Sequence, residues 1–138
     1  MRLRRNAKVD LISHVPLFAA CSKRELELVA GIADEIALPA QTSVFEQGKK
    51  GREFCILVAG EVEIRQGTRL LRVLSAGDFF GEIALILDAP RSATVIATSD
   101  VRLLVIDQAA FRRLLREAPS IQENVLEALA SRLANESL

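Results

Sequence analysis

The sequence contains no tryptophan, no tyrosine, a single histidine and only two cysteines. One histidine, His14, makes a histidine-rich metal site impossible and leaves histidine-dependent catalysis a single candidate. Cys21 and Cys55 sit in apolar surroundings without C-x-x-C spacing. They read as small buried hydrophobes of a reducing cytoplasm, with a disulfide or a reactive thiol as the alternative. Long apolar runs are missing too: Phe54 to Gly60 falls far short of the ~18–20 residues that span a membrane. Met1-Arg2-Leu3-Arg4-Arg5 is basic, but no apolar signal-peptide core follows. Arg2, Arg4, Arg5 and Lys8 form either a solvated end or an arm for nucleic acid or membrane. Net charge is absent as well, 18 Lys+Arg against 18 Asp+Glu, so no general field draws nucleic acid to this chain.

What is present suits one folded domain over residues 1–138. Half the residues are hydrophobic and 26% are charged, unlike a disordered chain. A chain of this length buries ~70% of its unfolded surface without disulfide or metal. The pattern divides it into N-terminal helices (1–34), a β region (35–107) and C-terminal helices (108–138). Ser22 and Glu25 have capping-box spacing ahead of Leu26, Leu28 and Val29. Upstream, Val9, Leu11, Ile12, Val15 and Phe18 suggest a short helical turn around Pro16. Phe54 to Ala59 is apolar on both faces and reads as a buried strand, whereas Val62 and Ile64 alternate with Glu61, Glu63 and Arg65. Gly67-Thr68 turns the chain into Arg69 to Leu74. Ala93–Ala97 and Val101–Ile106 add two β-rich runs. Short strands with polar turns predict an antiparallel β-roll or jelly-roll barrel. Asp107 caps a helix bearing Phe111, Leu114 and Leu115. Pro119 breaks or restarts it. The stripe Ile121, Val125, Leu126, Leu129 and Leu133 packs on its own domain, covers a ligand, or pairs with a second subunit as a homodimer.

The stretch from Gly77 to Val95 carries the chemistry. After Gly81 a short helical turn aims the backbone N–H groups of Glu82, Ile83 and Ala84 outward, which suits an anion and phosphate above all. Arg91 adds a fork that matches two phosphate oxygens, and Ser92 adds a hydroxyl. A carboxylate repels phosphate, so Glu82 makes sense facing a sugar hydroxyl. Alternatively Glu82 and Arg91 pair with each other. Gly48-Lys49-Lys50-Gly51 lacks the leading glycine and trailing Ser/Thr of a P-loop and reads as a hairpin turn.

Phe80-Gly81-Glu82-Ile83-Ala84-Leu85, followed by Pro90-Arg91-Ser92-Ala93-Thr94-Val95, resembles the phosphate-binding cassette (residues 80–95) of cyclic nucleotide-binding domains. These occur in protein kinase A regulatory subunits, cyclic nucleotide-gated channels and the bacterial catabolite activator family. The resemblance extends to Leu17-Phe18 and the capped helix, to Val44–Gly48, to Ile56–Val62 and to the helices from Phe111 to Leu133.

It implies a β-roll with a short cassette helix and a regulatory, non-enzymatic module whose C-terminal helices respond to ligand. Arg91 would bind the cyclic phosphate and Glu82 would accept from the ribose 2′-hydroxyl. Gly81, Ile83 and Ala84 would lend backbone, Ser92 would sit beside the phosphate, and Ile64 and Leu71 would line the pocket. The implied ligand is cAMP, which Ser92 in place of threonine favours, with cGMP as the second; no catalytic cofactor or metal is implied. Two departures concern the base. No aromatic follows Phe111 to stack on it. Arg132 falls where the family often has an arginine, but Glu136 and Ser137 stand where the activator-like members carry a hydroxyl pair. Competing readings are a ligand-independent interaction or dimerisation module, and the sensor part of a larger transcription factor, channel or enzyme. Nucleic acid and membrane insertion are not expected partners of this chain alone.

Overall fold

A computed structural model describes residues 5–136 of the 138. The chain opens with α1 (Arg5–Ser13), a 3-10 turn (Pro16–Phe18) and α2 (Lys23–Ile32). Eight strands follow: β1 (Asp34–Leu38), β2 (Ser43–Phe45), β3 (Glu53–Ala59), β4 (Val62–Gln66), β5 (Arg69–Leu74), β6 (Phe79–Phe80), β7 (Thr94–Ala97) and β8 (Val101–Asp107). Helix α3 (Glu82–Leu87) interrupts them between β6 and β7, and α4 (Gln108–Glu117) and α5 (Pro119–Glu136) close the chain.

Two four-stranded antiparallel sheets result, ordered β1-β8-β3-β6 and β2-β7-β4-β5. The expected β-roll is present, but it is not a closed barrel, because each sheet keeps its own two edge strands. Alternation along β3 explains its apolar composition. Cys55 and Leu57 face the second sheet and, with Leu103 of β8, pack on its Val62, Ile64, Leu74 and Val95. Phe54 and Ile56 face the helices, where they join Leu85, Phe111, Leu114, Ile121 and Val125. The sheet holding β3 is thus the middle of three layers.

The turn at Gly48–Gly51 departs from its reading as a hairpin. β2 pairs with β7 and β3 with β8, so this turn crosses from one sheet to the other. The hairpin over Gly67-Thr68 does join paired strands, β4 and β5.

Helix boundaries follow local chemistry. Ser22 Oγ accepts from Glu25 N at 3.2 Å while Glu25 Oε1 accepts from Ser22 N at 2.9 Å, a complete capping box. Asp107 accepts from Ala110 N at 2.8 Å and starts α4, a cap worth about 1 kcal/mol. Pro119 occupies the first turn of α5, where its missing N–H is harmless. Of the predicted α5 stripe, Ile121, Val125 and Leu129 are buried in the domain itself, whereas Leu126 is half exposed. Lys8 donates to Ala33 O at 2.8 Å and so ties α1 to the end of α2 rather than extending an arm. Arg2, Arg4 and the side chain of Arg5 lie outside the described residues.

Both cysteines are free. Burial pushes the Cys55 thiol from 9.0 up to about 12, an effect only partly opposed by Arg91. Above pH 9 the unfolded chain releases this proton and the folded chain keeps it, so stability falls as pH rises from 9 toward 12. The loss by pH 10.5 should be about 2 kcal/mol. Urea unfolding at pH 8 and pH 10.5 checks this, since the Cys55→Ala variant should lack that part of the alkaline loss.

Candidate functional site

The cassette begins with Gly81, whose φ of 99° lies in the left-handed region. A Cβ there would stand 2.7 Å from Glu53 O and 3.2 Å from Arg91 Nη1, so backbone and guanidinium approach more closely than any side chain permits. The turn that follows buries Glu82, Ala84 and Leu85. Asp88, left-handed at φ 52°, ends α3 and returns the chain toward Arg91.

Glu82 and Arg91 are the two buried charged residues among those described, 1% and 5% exposed. They do not pair with each other, contrary to the alternative that their proximity in sequence left open. Arg91 Nη2 donates to Glu53 O at 2.8 Å and to Glu53 Oε2 at 3.3 Å, and Nη1 donates to Gly81 O at 3.1 Å. Its guanidinium lies 3.5 Å from the centre of the Phe45 ring, a cation–π contact. Burial draws its pKa down from the ordinary guanidinium value. Arginine is nevertheless a permanent cation in proteins, so the site holds a fixed positive charge.

Glu82 pairs instead with Arg132 of α5. Arg132 Nη1 donates to Glu82 Oε1 at 2.5 Å and Nη2 to Phe79 O at 2.7 Å, with the guanidinium 4.5 Å from the Phe79 ring centre. The other carboxylate oxygen, Oε2, is buried and accepts no hydrogen bond among the described residues. A buried carboxylate oxygen without a donor is costly, and a ligand hydroxyl is the kind of group that satisfies it.

One cleft gathers these groups. Gly81, Glu82, Ile83, Ala84, Arg91, Ser92, Ile64 and Arg132 all line it, so the predicted site residues converge with one exception. Leu71 does not line the cleft. Ile64 pairs with Arg72 while Arg65 pairs with Leu70, so Leu71 is the extra residue of a bulge. Arg72 and Leu74, on the opposite parity, face the cleft instead. The cleft holds about 440 Å³ of space, its opening to solvent included.

Several lining residues were not anticipated: Phe45, Phe80, Arg72, Leu74, Ala93 and Val95. Ala93 and Val95 could have been read from the period-2 alternation of β7, and Arg72 from its parity with Leu74. Nothing in the local text marks Glu53 as the partner of Arg91. Ser137 and the side chain of Glu136 lie outside the described residues. No group of three or more His, Cys, Asp or Glu side chains among the described residues could hold a metal, and no helix among them is long and apolar enough to cross a membrane.

Fold and cleft together define a receptor module for a small anionic ligand. The family model for the cyclic nucleotide-binding domain matches residues 35–118. The cAMP-dependent protein kinase regulatory subunit of Mycosarcoma maydis is 39% identical over 132 residues, which span 87% of this chain and 25% of that protein. The regulatory subunit of Colletotrichum orbiculare is 33% identical over 114 residues, 81% of this chain and 29% of that one. Among solved structures, the regulatory domain of Toxoplasma gondii PKA with cAMP superposes with a TM-score of 0.83 at 27% identity, covering 94% of this chain and 50% of that chain. The Thermus thermophilus catabolite activator protein gives 0.80 at 28% identity, covering 88% and 60%. The chain belongs to the cyclic nucleotide-binding domain family, as the resemblance of residues 80–95 implied. It spans about a quarter of the length of the curated relatives named above, which are regulatory subunits.

Proposed function

We propose that this chain is a regulatory receptor for a 3′,5′-cyclic nucleotide, with cAMP as its ligand, and that residues 1–138 act as one such unit in the cytoplasm. The observation that carries this is the convergence of buried Arg91 and the donor-free Oε2 of Glu82 in one cleft. Arg91 neutralises the cyclic phosphate, helped by the N–H groups of Ile83 and Ala84 and by the Ser92 hydroxyl. Glu82 Oε2 accepts from the ribose 2′-hydroxyl. Gly81 keeps the backbone close to the sugar, and Ile64 with Leu74 and Val95 forms the apolar wall. The regulatory relatives and the cAMP-bound neighbour support this ligand.

Glu82 joins ligand to output. With Oε1 on Arg132 and Oε2 on the ribose, a single carboxylate is shared between α5 and the nucleotide. A ligand that holds Glu82 in this orientation favours the docked position of α5.

The test is calorimetric titration with cAMP, 5′-AMP and cGMP. The expected result is saturable 1:1 binding of cAMP and much weaker binding of 5′-AMP; absence of cAMP binding at millimolar ligand defeats the proposal. Glu82→Gln should weaken cAMP about tenfold, because an amide accepts more weakly than a carboxylate and loses the pair with Arg132. A second ligand, cGMP, is favoured by one feature. Arg72 faces the cleft, and a guanidinium matches the O6 and N7 acceptors of guanine, whereas adenine presents a donor at N6. Tighter binding of cGMP than of cAMP would select that reading.

A further inference from the structure

Gly51 lies at the end of the turn that crosses between the sheets. Its φ is not in the positive region, so no backbone conformation demands glycine there. Space demands it. A Cβ built on Gly51 would stand 1.7 Å from Arg91 Nε and 2.1 Å from its Cζ, which no rotation of a methyl group relieves. The Arg91 guanidinium therefore occupies the position that a side chain at residue 51 would take. Gly81 walls the same guanidinium from another side, 3.2 Å from a Cβ built there to Nη1, and Phe45 lies under it.

The same turn also holds the backbone of Arg91. Gly48 N donates to Arg91 O at 2.9 Å and Arg91 N donates to Lys49 O at 2.8 Å. One short segment thus fixes the main chain of Arg91 and leaves the room in which its side chain lies flat. The sequence offers this turn as a basic Gly-Lys-Lys-Gly run, but its lysines are not what meets Arg91; its backbone and its missing side chain are.

We infer that Gly51 is a positioning residue for ligand binding, acting through Arg91: the slot it leaves sets where the guanidinium fork stands relative to the phosphate. This rests on the reading of Arg91 as the phosphate-binding group. A methyl at residue 51 drives the guanidinium off the Phe45 ring and toward the cleft, where its fork no longer meets two phosphate oxygens together.

The experiment compares wild type, Gly51→Ala, Arg91→Lys and the double variant by cAMP calorimetry. It is combined with the 15N–1H signal of Arg91 Nε, whose position reports the Phe45 ring current without any ligand. Gly51→Ala should move that signal and weaken cAMP roughly tenfold or more. In the Arg91→Lys background, where the shorter cation leaves the slot empty, the same change should weaken cAMP less than twofold. An equal loss in both backgrounds, or an unmoved Arg91 signal, overturns the inference. If Gly51→Ala alone fails to fold, a double variant that folds and melts with the Arg91→Lys single variant shows the same clash, and a double variant that also fails to fold overturns it. If wild type binds no cAMP while the Arg91 signal still moves, the ligand reading fails and the positioning of Arg91 by Gly51 stands.

Discussion

Arg91→Ala should weaken cAMP binding by two to three orders of magnitude. The phosphate would enter a cleft whose one remaining cation, other than Arg72, is Arg132, and Arg132 is bonded to Glu82 and Phe79. Removing one partner of a desolvated charge pair costs about 2–5 kcal/mol, and each 1.4 kcal/mol is a factor of ten in affinity. Stability falls as well, by about 1–3 kcal/mol, because Gly81 O and Glu53 O lose the donor that Arg91 supplies to each. Arg91→Lys separates charge from geometry: it keeps the cation and loses the fork, so it should fall between the two. Titration calorimetry reads these effects, and an Arg91→Ala affinity within threefold of wild type would remove Arg91 from the site.

The largest effect on stability is expected at Phe111. Its ring is 1% exposed and stacks on Phe54 with centroids 4.6 Å apart. Phe54 in turn lies 5.7 Å from Phe79, whose carbonyl holds Arg132. Truncation to alanine removes burial, leaves a cavity between α4 and the middle sheet, and breaks the aromatic pair. Together these amount to about 3–5 kcal/mol, against a stability of about 5–15 kcal/mol for an ordinary domain. Phe111→Leu keeps most of the volume and should lose much less. Urea unfolding measures both, and a loss below about 1 kcal/mol for the alanine variant would contradict this packing.

Features set by near neighbours were legible in the sequence. The Ser22–Glu25 box, the Asp107 cap, the β4–β5 hairpin and the glycine ahead of α3 each depend on residues a few positions apart. Their physical reasons therefore lie within one window of sequence. The cassette was legible for the same reason, since Gly81, Glu82, Arg91 and Ser92 are close along the chain. Features set by distant approach were not. Arg91 reaches Glu53 across 38 positions and Arg132 reaches Glu82 across 50, so the local text offered only the pairing of Glu82 with Arg91. The two-residue strand β6 is too short to show a period. Leu71 was misplaced because one extra residue in β5 shifts the phase of alternation, and a bulge leaves no mark in an Arg-Leu-Leu-Arg run.

The clasp of Arg132 on Glu82 and Phe79 has a thermodynamic consequence. On the proposed sharing of Glu82 between α5 and the nucleotide, coupling is symmetric: the factor by which cAMP favours docking of α5 must equal the factor by which a docked α5 raises cAMP affinity. Whatever pulls α5 away, whether another domain, a partner or a truncation before Arg132, therefore acts as a negative effector of nucleotide by withdrawing Arg132 from Glu82. Nucleotide occupancy and helix position become two readings of one equilibrium, with a single arginine side chain among its terms.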